Sequence, residues 1–132
     1  GAFFGMQNAA RVIPDGGRII SISTGATTLG MPYLGPYLGS KAALEEFGMV
    51  LANELGSRQI TVNTVLAGAT ETKLFDDLFE YWPAEARDQL IQRTPLGRVG
   101  TPQDVADIVV FLASDDARWI TGQCIRADGG LR

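Results

Sequence analysis

Histidine is absent from all 132 residues, and that omission removes more chemistry than any other feature of the composition. Without imidazole there is no Ser-His-Asp hydrolysis, no histidine proton relay and none of the commoner zinc sites. Cysteine occurs once, at Cys124, so no disulfide closes within the chain, as expected of a reducing, cytoplasmic setting. Net charge is -4 with no cluster of Lys or Arg, which argues against nucleic acid as a partner. No apolar run approaches the ~20 residues of a membrane span. No charged segment precedes an apolar stretch near Gly1, so a leader peptide is not expected either. Acid–base chemistry, if there is any, falls to Tyr, Lys or carboxylates.

What is present is an apolar complement of 45%, enough for one domain with a buried core. Residues 1–13 read as a helix, Pro14-Asp15-Gly16-Gly17 as a turn, and residues 18–23 as a short β-branched strand ending in hydroxyls. A glycine- and proline-rich loop over 25–36 leads to a helical pattern over 37–55 and a second strand over 60–66. Residues 72–93 are helical and amphipathic, interrupted by Pro83. Thr101-Pro102-Gln103-Asp104 is a helix start, with Thr as cap, Pro in the first turn and Asp three residues after the cap. A last short strand covers 124–127. Strands separated by helices predict an α/β fold with parallel pairing and right-handed crossovers. It has the pattern of the second half of a doubly wound, Rossmann-type sheet, with about three strands in a single partial domain over 1–132.

Tyr37 and Lys41 stand one helical turn apart, on one face. An ammonium beside a phenol favours the phenolate, so such a pair suits proton transfer near neutral pH. Around the pair lie Gly17-Arg18-Ile19-Ile20-Ser21-Ile22-Ser23-Thr24-Gly25 and Pro36-Tyr37-Leu38-Gly39-Ser40-Lys41-Ala42-Ala43-Leu44. Further on come Val62-Asn63-Thr64-Val65-Leu66-Ala67-Gly68, Arg98-Val99-Gly100-Thr101-Pro102-Gln103-Asp104 and Thr121-Gly122-Gln123 with Asp128-Gly129-Gly130. In this order the segments resemble the later half of the short-chain dehydrogenase/reductase family.

That resemblance implies NAD(P)(H)-dependent interconversion of a small-molecule alcohol and a carbonyl. Tyr37 would be the general acid/base, and Lys41 would support it and hold the nicotinamide ribose. The family's serine aligns with Thr24, with Ser23 just before it, and either hydroxyl could take the role. Gly68, Thr70 and Thr72 would meet the nicotinamide end of NAD or NADP. Thr72 reads equally as the N-cap of the next helix, and Ala67 stands where the family has proline. Asn63 reads as a strand-and-loop stabiliser. Leu74, Phe75, Leu78, Phe79, Tyr81 and Trp82 form an apolar stripe that would be either a substrate lid or core and subunit packing.

The glycine-rich turn that holds the pyrophosphate, and the residue that selects NAD or NADP, belong to the family's first half and have no counterpart here. Gly1-Ala2-Phe3-Phe4 resembles the end of the segment that follows the family's relay asparagine, whose place would be just upstream; Asn8 is a turn too late to serve. The expectation is a chain that is weak or inactive alone and works with an N-terminal half. The alternative is an inactive truncated module that acts by self-assembly or by complementing an N-terminal half. Either way a homo-oligomer is expected, covering the edge of strand 18–23 or the helix faces at 1–13 and 37–55.

Overall fold

The computed structural model describes residues 1–131. Three strands, β1 (Arg18–Thr24), β2 (Thr61–Ala67) and β3 (Cys124–Ala127), form one parallel sheet in the order β1-β2-β3. The helices are α1 (Ala2–Val12), α2 (Gly35–Leu55), α3 (Lys73–Phe79), α4 (Ala86–Arg93) and α5 (Pro102–Ala113). This is the expected half of a doubly wound α/β sheet.

β2 is central, and every residue from Thr61 to Leu66 is buried, as a strand covered on both faces must be. On one face Ile19, Val62 and Ile60 pack with Ala52 and Leu55 of α2, and Ala9, Ala10 and Ile13 close the layer. On the other, Val65 packs with Leu112 of α5 and Ala117, joined by Ile20, Val105, Ile108 and Ile125. The alternation of Ile19 with Ile20, and of Val62 with Val65, follows the two-residue period of a strand.

Boundaries differ from the sequence reading in ways that have simple causes. β1 extends through Thr24 and β2 through Ala67, because the ladder continues to the pair Thr24↔Ala67. α2 starts at Gly35, with Pro36 in its first turn, where the missing N–H costs nothing. The 72–93 segment splits into α3 and α4 on either side of Pro83, which cannot donate to a continuous ladder. The register sets Thr24, Ala67 and Ala127 abreast at one rim. This carboxyl rim is where open parallel sheets bind ligands.

Candidate active site

The rim is built from the end of β1, the first turns of α2 and the segment after β2. Tyr37 lies in the first turn of α2 and is 41% exposed. One turn on, the Lys41 ammonium lies 5.9 Å from the Tyr37 ring centroid and donates to the Ile22 carbonyl at 2.9 Å. The expected pair is therefore adjacent, and the ammonium also anchors α2 to β1.

The two candidate hydroxyls have different surroundings. Ser23 is buried and donates to Glu45 Oε1 at 2.6 Å, with the Lys41 carbonyl at 3.4 Å. Its single proton is committed. Thr24 Oγ1 instead accepts from the Ala26 N–H at 3.3 Å, capping the short 3₁₀ turn Gly25–Thr28. Its own proton has no acceptor among the described residues.

After β2 the chain is clamped by the loop before α5. The Gly100 N–H donates to Ala69 O and the Glu71 N–H to Gly100 O, both at 2.9 Å. Thr70 Oγ1 donates to Gly68 O at 3.0 Å. Thr72 Oγ1 accepts from the Phe75 N–H at 3.2 Å, so the N-cap reading of Thr72 is seen directly. Gly68 is a tight spot for a reason internal to the chain, since a Cβ there would lie 2.5 Å from Asp128 Cα. The apolar stripe divides into two parts. Phe75, Phe79 and Trp82 stack, with centroids 4.6 and 5.7 Å apart, and Arg87 lies over Phe75 at 5.6 Å. Leu74 and Tyr81 face outward.

Supporting charges lie around the rim. Arg98 makes two 2.7 Å bonds to Asp104. That guanidinium, followed by the Thr101 backbone, holds the Asp104 carboxyl well below the usual carboxylate range, and Asp104 in turn raises Arg98. Burial, followed by the charges of Glu45 and Glu46, pushes the Cys124 thiol up. Arg126 pairs with Asp128 at 2.6 Å and donates to Thr28 Oγ1 at 3.1 Å and to Gly25 O at 3.3 Å. It thereby ties β3 to the turn that follows Thr24.

Sequence reasoning singled out neither Glu45, Arg98 nor Arg126, whose partners depend on the fold. Asn63 has the role expected of it, donating to Ile120 O and accepting from the Gln123 N–H. Asn8 is exposed on α1. Glu71, Asp115 and Asp116 are exposed, and Asp115 pairs with Arg18 at 3.3 Å. No group of His, Cys, Asp and Glu side chains among the described residues could hold a metal ion. Among the same residues, no helix is long and apolar enough to cross a membrane.

The carboxyl rim of the parallel sheet thus carries a phenol, an ammonium and a hydroxyl whose proton has no acceptor among the described residues. The chain belongs to the short-chain dehydrogenase/reductase family. A family model described as enoyl-(acyl carrier protein) reductase matches residues 1–132. An uncharacterized oxidoreductase of Methylorubrum extorquens is 44% identical over 132 residues, which is all of this chain and 53% of that protein. The tetrahydroxynaphthalene reductase PfmaG of Pestalotiopsis fici is 40% identical, covering 98% of this chain and 50% of its own length. The crystal structure of the angucycline C-6 ketoreductase LanV with bound NADP superposes with a TM-score of 0.86 at 46% identity, over 98% of this chain and 49% of that one. The chain thus spans about half the length of the relatives it matches.

Proposed function

We propose that this chain carries the proton-transfer side of an NAD(P)(H)-dependent carbonyl reductase site, acting on a ketone attached to an aromatic ring system. The observation that carries the reading is the adjacency of Tyr37 and Lys41 in the first turns of α2, with the Thr24 hydroxyl proton free at the end of β1. The substrate class rests on two relatives named for reduction of tetrahydroxynaphthalene and of an angucycline ketone. It also rests on the aromatic cluster of Phe75, Phe79 and Trp82 in and just after α3.

The donor set fits the nicotinamide end of the dinucleotide, which supplies hydride to the carbonyl carbon when bound. Tyr37 gives its phenolic proton to the carbonyl oxygen, and takes it back when an alcohol is oxidised. Thr24 donates a hydrogen bond to the same oxygen, a role closed to Ser23 while its proton serves Glu45. Lys41 keeps a positive charge beside the phenol and has donors for the ribose hydroxyls. Gly68, Thr70 and Thr72 would hold the carboxamide end. The chain has no glycine-rich pyrophosphate turn. Each remaining hydrogen bond contributes only about 0.5–1.5 kcal/mol, so alone the chain binds the dinucleotide weakly.

The test pairs this chain with the nucleotide-binding half of a relative and follows NADPH oxidation in the presence of alpha-tetralone. Turnover is expected for the pair and not for either part. Tyr37→Phe should reduce it by about a hundredfold or more, the usual scale for loss of a positioned acid. Equal rates for Tyr37→Phe and the unsubstituted chain would end this reading. A second reading, an interaction module without catalysis, has its own support. The outer edge of β1 is unpaired among the described residues, and Phe3, Phe4, Phe47 and Val50 are exposed on α1 and α2.

A further inference from the structure

Tyr37, Lys41 and Glu45 follow one another at four-residue intervals on α2, and Glu45 is the member with no assigned task. Two hydroxyls that flank Thr24 in sequence turn toward its carboxylate. Ser23 Oγ lies 2.6 Å from Oε1, the short distance of an O–H donor to a charged oxygen. Thr27 Oγ1 lies 3.5 Å from Oε2 and 3.2 Å from the Thr24 carbonyl. The Ser23 side is buried, where such a bond is stronger than in water and its loss leaves a stranded hydroxyl. On both sides of Thr24, then, the backbone is referenced to a single point on the helix that carries the phenol and the ammonium.

We infer that Glu45 is a positioning residue: by accepting the Ser23 hydroxyl it fixes the segment bearing Thr24 against the helix face bearing Tyr37 and Lys41. The inference rests on the reductase reading for its catalytic consequence, and on geometry alone for its structural one. Without the bond, β1 keeps its ladder to β2, but its last two residues and the turn Gly25–Thr28 lose their shortest tie to α2, leaving Ser23 only the Lys41 carbonyl at 3.4 Å. A shift of about 1 Å in such a donor can cost a hundredfold in rate. Binding of a dinucleotide, which does not depend on the Thr24 hydroxyl, should change little.

Three variants, with turnover measured on this chain paired with the nucleotide-binding half of a relative, separate positioning from simple stability. Glu45→Gln keeps an acceptor for Ser23 and is expected to retain most of kcat. Glu45→Leu should lower kcat by about tenfold or more, with the dinucleotide KM within about threefold. The pair Ser23→Ala with Glu45→Leu removes both polar partners together, so thermal stability should recover while kcat stays low. Independently of turnover, amide hydrogen exchange over residues 24–29 should quicken in Glu45→Leu and not in Glu45→Gln. The inference is overturned if exchange there is unchanged in Glu45→Leu, or if kcat returns together with stability in the double variant. If Tyr37→Phe fails to reduce turnover, the reductase reading falls first and the catalytic part of this inference with it. If Tyr37→Phe behaves as expected and the Glu45 variants do not, the inference alone is wrong.

Discussion

Thr24 differs from the family's usual serine by one methyl group, which restricts rotation about χ1. That restriction has a use here, because the side chain already caps a turn and need not search for its orientation. Thr24→Ser should therefore keep turnover within about threefold, whereas Thr24→Ala should lose about a hundredfold, the scale for removing a donor to a developing oxyanion. Steady-state rates of the two variants under one substrate concentration series would decide the matter, and near-equal losses would point to crowding, not hydrogen bonding. Tyr37 and Lys41 were legible in the sequence because one-turn spacing is a local property. The choice between Thr24 and Ser23 was not, since it depends on which face of β1 meets α2. Glu45 was hidden for the same reason. A mid-helix glutamate next to Glu46 reads as solvated, and its partner lies 22 residues away.

Among the elements, α5 follows its sequence most closely. Thr101 accepts from the Asp104 N–H and Asp104 returns a bond to the Thr101 N–H at 2.6 Å, a complete reciprocal cap. Thr101→Ala should cost about 0.5–2 kcal/mol of stability, measurable by urea denaturation. Asp104 titrates lower folded than unfolded, so its contribution is fully present above its unfolded pKa of about 3.9 and is lost as pH falls below that. The pair with Arg98 is exposed, which keeps the effect small and salt-sensitive. Thermal melts should thus show Asp104→Asn approaching the unsubstituted protein as pH falls well below about 3.9, whereas Thr101→Ala, which also loses the non-titrating bond from the Asp104 N–H, keeps part of its gap. A gap for Asp104→Asn that does not narrow on acidification would rule out the carboxylate as its source. α3 and α4 were less legible. The sequence showed a break at Pro83 but not that Phe75, Phe79 and Trp82 turn inward together while Leu74 and Tyr81 turn out.

Among the described residues the molecule is a three-stranded sheet with both faces partly covered and the outer edge of β1 unpaired. Parallel order and the site rim were readable from the alternation of strands and helices, because a crossover leaves few other arrangements. What covers the remaining surface was not, because exposed apolar side chains do not name their partner. Phe3 and Phe47 meet edge-to-face at 5.2 Å across α1 and α2, and both are still substantially exposed. Light scattering across a wide concentration range should find oligomers, and charged substitutions such as Phe4→Glu should shift them toward monomer; a monomer at every concentration would count against assembly through this face. One further consequence follows from the packing of Asp128 on the bare Cα of Gly68, together with Arg126 reaching Gly25. The end of β3 and the loop after it work as a keystone wedged behind two tips of the sheet. A change confined to residues 126–131 should therefore be felt at the hydroxyl of Thr24, about a hundred positions earlier in the polypeptide and one guanidinium away in space.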